Sequence, residues 1–418
     1  MSLTSNPLLQ DFNEAPFNTI KDEHFKPAFI EAIQINRNEI DAITNNTEAP
    51  TFQNTIAALD YSGQQLDRIS SVFFNLNSAE TSEAIQKIAQ EVSPLLTTFS
   101  NDVTLNETLF ERIKSIYAQK DDLDLSVEEK TLLEKKYKSF ARNGANLPED
   151  KKSRLREIDT ALAKLKLSFG ENILAETNSY ELHLTNEGDL AGVPASSKEA
   201  FAAEAASRDK EGWVVTLDYP SYIPFMKYAD NRELRKELSL AFGSKAFKGN
   251  EYDNQKNVIE IVNLRHERAQ LLGYDTHAHF VLEERMAQTP AKVKDFLNEL
   301  LEKAKPAAER EFAQLENFAK TQDGIGALQK WDGSYYSEKL KKELFNLDDE
   351  QLKPYFKLEN VINGVFEVAT RLFGLQFEQV TDVDVYHKDV KTYRVTDVDG
   401  NYISLFYADF HPRKGKRG

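Results

Sequence analysis

Seven histidines are the side chains of this 418-residue sequence best suited to binding a metal or moving a proton near neutral pH: His24, His183, His266, His277, His279, His387 and His411. Three of them fall in one stretch, NLRHERAQLLGYDTHAHF. A helix that holds a hydrolytic metal needs two histidines four residues apart, so that both imidazoles leave one face, and a Glu beside the first to activate bound water. His266-Glu267 opens that spacing, but the fourth position on is Gln270, a neutral amide that replaces imidazole poorly; His266 reads as a surface residue of a helix. His277-Ala278-His279 has the two-residue spacing of strand-borne ligands. It follows Gly273 at an expected helix start, where residues i and i+2 point apart, so capping or packing is the reading.

Other chemistries are sparsely supported. The chain has no cysteine, which excludes disulfides, thiolate metal sites and a thiol nucleophile. No G-x-S-x-G elbow occurs, and Gly324-Ile325-Gly326 lacks the rest of a phosphate loop. With 68 Asp and Glu, pairs of acids are inevitable and select no glycosidase-like dyad. Tyr335-Tyr336 could line a pocket, although paired aromatics near a helix start more often pack. From the residues alone no catalytic constellation emerges.

The elements that would position such groups are mostly helices. Six apolar positions, Leu155, Ile158, Leu162, Leu165, Phe169 and Ile173, recur at three- and four-residue spacing along one stripe. Ser126 with Glu129 forms a capping box, and Thr289-Pro290 starts a helix carrying Val293, Phe296, Leu297, Leu300 and Leu301 on its expected buried side. Nearly everything before residue 375 reads as helix. After Phe377 the pattern alternates: Tyr393 and Val395, the turn pair Asp399-Gly400, then Ile403 and Leu405–Tyr407, a β-hairpin. Two strands alone are marginal in water, so the hairpin needs covering helices or further strands.

Composition sets outer bounds. Forty per cent hydrophobic and 29% charged residues suit a globular protein of two or three domains, and no apolar run is long enough to span a membrane. A net charge of −16 argues against general nucleic-acid affinity. Only the tail is basic; PRKGKRG reads as a solvated, protease-sensitive loop. MSLTSNPLLQDF shows neither the basic nor the apolar region of a secretory leader, and Met1-Ser2-Leu3 reads as a cloning remnant. A cytoplasmic monomer is expected, or a periplasmic one where a leader has been removed.

Several long segments resemble the thimet-oligopeptidase family of zinc metallopeptidases: NRELRKELSLAF (231–242), NLRHERAQLLGYDTHAHFVLEERMAQTPAKVKDFL (263–297), KWDGSYYSEKL (330–340), LKPYFKLENVINGVFEVATRLFGLQF (352–377), YHKDVKTYRV and LFYADF (386–410), and the opening NPLLQDFNEAPFNTIKDEHFKPAFIEAI. Tyr386-His387 and Phe406–Phe410 are closer to the bacterial peptidyl-dipeptidase branch than to the oligopeptidase A branch. The resemblance implies a predominantly α-helical, neurolysin-like half-ellipsoid with a small antiparallel β-hairpin near its C-terminus. It further implies a helical region, 1–375, forming one wall of a channel for short unfolded peptides, and a region, 376–418, that opens the catalytic part. In that family the zinc helix and its water-activating Glu follow the segment matching ADFHPRKGKRG, so the catalytic residues and metal ligands are expected beyond Gly418. The chain is expected to be cut short and inactive alone, with zinc in the whole protein and none here.

One substrate role is expected within the chain. Arg413, Lys414, Lys416 and Arg417 would form a loop near the channel. A peptidase that counts two residues from a C-terminus must sense a carboxylate, which Arg413 or Arg417 could grip bidentately. Against this stand an oligopeptidase-like endopeptidase of the same family and, from another class, a non-enzymatic helical protein that binds peptides or partners.

Overall fold

The computed structural model describes residues 5–417; residues 1–4, with the Met1-Ser2-Leu3 remnant, and Gly418 lie outside the described residues. The chain begins by anchoring itself. Asn6 caps the turn Pro7–Leu9 and donates its amide to the carbonyl of His24 at 2.9 Å, which buries Leu8 completely. Helices α1 (Asp22–Thr44), α2 (Ala58–Tyr61), α3 (Gln64–Ala79) and α4 (Glu83–Thr104) then pack around Phe25, Phe29 and Phe73, whose rings meet edge to face at 4.9 and 5.4 Å. Such pairs add a directional preference to the burial of large apolar surface. Asn106 and Ser126 cap α5 (Glu107–Tyr117) and α6 (Val127–Arg142), the second through the expected box with Glu129.

Helix α7 (Glu149–Ser179) spans 31 residues, about 46 Å at 1.5 Å per residue. Its predicted stripe is real: Leu155, Ile158 and Leu162 are buried, the last two against Ile261 of α11. A two-stranded sheet interrupts the helices, with β1 (Leu182–Leu184) antiparallel to β2 (Trp213–Val215). The reading of nearly everything before residue 375 as helix missed it, because three-residue strands are too short for an alternation to show. Leu182 and Leu184 face inward while His183 faces out, onto a second core with α8 (Ala195–Ala206), α9 (Tyr219–Tyr228) and α10 (Arg232–Gly243).

Next come α11 (Gln255–Leu271), α12 (His277–Leu282), α13 (Pro290–Asp323), α14 (Gly333–Phe345) and α15 (Asp349–Leu352). Thr289 caps α13 as expected, but the expected buried side of that helix is largely open. Phe296, Leu297, Leu300 and Leu301 are 61%, 55%, 48% and 59% exposed. Among the described residues α13 packs chiefly on α12 and α14, and its apolar stripe has no partner along those turns. An amphipathic pattern states which side favours cover without supplying the cover.

The C-terminal strands form more than the predicted hairpin. After α16 (Leu358–Phe373), β3 (Gln376–Val380) pairs antiparallel with β4 (Lys391–Thr396), which pairs antiparallel with β5 (Tyr402–Ala408), in the order β3-β4-β5. Phe366 of α16 stacks on Phe377 at 4.2 Å and meets Tyr393 edge-on at 4.7 Å. Helix and third strand together provide the cover that a lone hairpin lacks. The fold is predominantly α-helical with this small antiparallel sheet near its C-terminus.

One buried ion cluster fastens α14 to α10. Asp332 is fully buried and receives Arg232 in a two-pronged pair at 2.9 and 2.7 Å, Arg235 at 3.3 Å and the backbone N–H of Gln329 at 2.9 Å. Burial works to raise its carboxyl; the Arg232 pair, the Gln329 N–H and the charge of Arg235 outweigh that and leave it lowered. Arg235 is itself 1% exposed. Asp332→Ala strands that guanidinium without its counter-charge, at an expected cost of about 3–5 kcal/mol, read as a lower urea midpoint. A shift worth less than about 1 kcal/mol would show the cluster to be dispensable.

Candidate functional site

The basic tail is docked, not solvated. Gly415 accepts the N–H of Thr81 at 2.7 Å, Arg417 donates its own N–H to Ser78 at 2.8 Å, and Lys414 accepts the amide of Asn178 at 3.0 Å. The tail therefore lies across the α3–α4 turn and the end of α7. Gly415 permits this approach: a Cβ there would stand 2.7 Å from the Thr81 carbonyl oxygen, inside van der Waals contact with rigid backbone.

Asp409, at the end of β5, organises the tail's charges. Arg413 forks onto it with two bonds of 2.8 Å, Lys416 lies at 3.1 Å and Tyr386 donates its hydroxyl at 3.0 Å. The Arg413 hydrogen bonds, with Lys416 and Tyr386, hold the Asp409 carboxyl far below its ordinary value despite burial. Burial and the Asp409 bond push Tyr386 up to about 12. Arg413 also donates to Glu80 and, at 2.6 Å, to the carbonyl of Ala79. Four of a guanidinium's five N–H donors are thus engaged within the protein, so Arg413 braces the loop.

Arg417 is different. Its guanidinium passes over α7 where Gly170 leaves room; a Cβ there would come within 3.3 Å of Nη1. Nε and Nη2 are buried and without a partner among the described residues, and Oε1 of Glu171 is in the same condition. The other Glu171 oxygen takes the amide of Gln90 at 3.0 Å. Burial pushes Arg417 below its ordinary value, against the pull of Glu171. An unpaired Nε–Nη2 edge is the face that grips a carboxylate bidentately, and buried donors left open call for an explanation.

The histidine candidates are dispersed, and the rings of His24, His183, His279 and His387 make local hydrogen bonds. Glu267, the residue that would serve as base beside exposed His266, is clamped by Arg154 at 2.7 and 2.9 Å, which holds its carboxyl low. Gln270 ties the loop after α11 to the helix by donating to the Asp275 carbonyl at 2.8 Å. His279 turns back to Thr276, the cap of α12, at 2.8 Å. Burial and the charges of Arg265, Arg268 and Lys166 push His277 down, surroundings that repel a metal cation. His24 accepts the N–H of Lys21 at the start of α1, and His183 meets the Glu211 carbonyl at 2.7 Å. Among the described residues no three His, Asp or Glu side chains converge to hold a metal ion, so these residues do not fit a zinc site. Tyr335 borders a cleft of about 560 Å³, but its hydroxyl goes to Asp230 at 2.7 Å and its ring lies under Arg235; Tyr336 is buried.

A helical body closing on a small antiparallel sheet, with the last strand leading into a docked basic segment, is the class of architecture that the resemblance describes for a helical peptidase. Residues 225–418 match the model of peptidase family M3, and the chain belongs to that family. It is 36% identical over 99% of its length to oligopeptidase A of Salmonella typhimurium and 35% identical over its full length to dipeptidyl carboxypeptidase of the same organism. Saccharolysin of Saccharomyces cerevisiae is 30% identical over 93% of the chain. The chain spans 62% of the length of the first two relatives. Identities of 36% and 35% do not separate the two bacterial branches.

The docked tail yields a pH and a mutational expectation. Because the Asp409 carboxyl is depressed, its contribution is complete above the ordinary value of 3.8 and is lost as pH falls from there through the depressed value. Amide exchange at residues 411–417 should therefore stay slow, relative to an unstructured peptide of the same sequence, down to about pH 4. Gly415→Ala should release the segment at neutral pH, seen as faster tryptic cleavage after Arg413 and Lys414 with an unchanged helical circular-dichroism signal. Equal cleavage of both forms would place the docking elsewhere.

Proposed function

We propose that the protein carrying this chain hydrolyses short unfolded peptides and releases dipeptides from their C-termini. The observation that carries the reading is similarity over 99% or more of the chain to both an oligopeptidase A and a dipeptidyl carboxypeptidase. The dipeptide-releasing branch is favoured by Tyr386-His387 and the Phe406–Phe410 segment. In this reading residues 1–375 form a channel wall and residues 376–418 open the catalytic part. Zinc is proposed for the whole protein, held by residues outside this chain, and the chain alone is proposed to be inactive. We place the protein in the cytoplasm as a monomer. No helix among the described residues is long and apolar enough to cross a membrane.

The carboxylate role expected of the tail is assigned to Arg417, whose Nε–Nη2 edge is open, with Arg413 as the brace that holds the loop in place. A substrate's terminal carboxylate would take these two donors, which Glu171 leaves unpaired.

Two measurements test these assignments. Mass spectrometry of an N-terminally blocked peptide treated with the whole protein should show successive loss of dipeptides, and no products with residues 1–418 alone. Internal cleavage would favour the oligopeptidase branch, and turnover by the 418-residue chain would overturn the assignment of chemistry outside it. In the whole protein, Arg417→Ala should raise KM for free-acid peptides roughly 10- to 150-fold, the equivalent of about 1.5–3 kcal/mol for a charge-assisted hydrogen bond, and leave C-terminally amidated peptides unchanged. Arg413→Ala should affect both substrates alike. Equal effects of Arg417→Ala on both would remove it from carboxylate recognition.

A further inference from the structure

Further along the α4–α7 seam, a cavity of about 570 Å³ opens between α4, α7, α11 and α12. Its charged lining consists of Lys166, Arg265 and Arg268 against a single carboxylate, Asp159, with His277 beside them. Three cations against one carboxylate give a local charge of about +2 in a chain whose net charge is −16. Arg268 spends its charge on Asp159 at 2.7 Å; Lys166 and Arg265 have no such partner among the described residues. An isolated pair of like charges facing a concave, partly apolar wall is unfavourable unless something neutralises it, and such a wall focuses the field that attracts an anion.

A second observation is independent of the charges. Asn101, on α4, lines the same cavity at 8% exposure, and its side-chain Nδ2 is buried with no partner among the described residues. A buried amide donor costs free energy until an acceptor meets it. Ser100 and Thr97 place hydroxyls on the same wall. The apolar part of the lining is Leu96, Leu162 and the ring of Phe280, which is already held under Arg268 at 5.1 Å. A volume of 570 Å³ lies in the range of small-molecule sites and is far larger than a bare inorganic anion needs.

We propose that this cavity binds a small organic dianion, an aromatic or aliphatic body carrying either a phosphate monoester or two carboxylates, with its charge on Arg265, Lys166 and the Asn101 amide and its body against Phe280 and Leu162. The proposal does not rest on the peptidase reading. An occupant would also reverse the part of the His277 shift that comes from neighbouring cations, so binding and proton uptake at that imidazole are coupled.

The test uses the 418-residue chain with phenyl phosphate and benzene-1,2-dicarboxylate as probes, titrated calorimetrically at low ionic strength. One-to-one saturable binding of at least one probe is expected, and preference between the two identifies the head group. Arg265→Gln and Asn101→Leu should each weaken it at least about tenfold. Lys164→Gln removes the same charge two residues from Lys166, at a position outside the cavity lining, and should leave binding unchanged. The His277 ring resonance should titrate at higher pH in the probe's presence. Arg265 has no ion-pair partner to lose, so its variant should keep the wild-type melting temperature. No saturable binding at millimolar probe, or equal weakening by Lys164→Gln and Arg265→Gln, would overturn the proposal.

Discussion

Helix α7 must be covered on two sides at once, and much of the structure follows from that constraint. Its N-terminal half buries Leu155, Ile158 and Leu162 between the bundle of α1–α6 and α11. Its C-terminal half instead trades in polar contacts. Glu176, nearly buried, is satisfied by Lys248 at 2.5 Å and Asn250 at 2.8 Å, and Asn172 meets Asn254 at 2.9 Å. These bonds hold the loop between α10 and α11 against the helix. The docked tail and the cationic cavity occupy successive positions along the same rod, from Asp159 and Lys166 to Gly170 and Asn178. A long helix packed on several partners is stiff, so groups arranged along it keep fixed separations that loops alone would not maintain.

Local features were legible in the sequence wherever a single segment carried its own signal. The α7 stripe, the Ser126–Glu129 box, the Thr289-Pro290 start and the Asp399-Gly400 turn needed only neighbouring residues to be read. Strand β3 was not legible, because Gln376–Val380 offers two apolar residues and borrows its stability from Phe366 and from β4. The α13 stripe shows the converse: Phe296, Leu297, Leu300 and Leu301 announce a buried side that the described residues leave in solvent. Pattern encodes a preference, and packing depends on what stands opposite.

Sites assembled from distant segments were beyond such reading. Arg413 and Arg417 were found as charges, but their separate fates depend on Asp409, Glu80 and Gly170, and only the Asp409–Arg413 spacing of four is local. Had that spacing been weighed, the brace was within reach of the sequence. Nothing in it places Asn101, Lys166 and Arg265 around one cavity, or joins Arg235 to Asp332 across 97 residues. The metal-like spacing at His266 was rightly set aside on Gln270 alone. A half-motif is common by chance, and here Glu267 is clamped by Arg154 while Gln270 is turned to the loop after α11.

The docking of the tail also has a kinetic side. Arg413 meets Glu80 across 333 residues, and Asn18 meets Asp384 across 366. Closing a loop of that length costs about 5 kcal/mol of chain entropy beyond a constant term, against which these few bonds gain little until the intervening helices have already brought the ends together. During synthesis at about 5–20 residues per second, the α3–α4 turn waits roughly 20–70 s for the residues that cover it. The seam between the first helices and β5 therefore closes only after the helices between them have brought its two sides together.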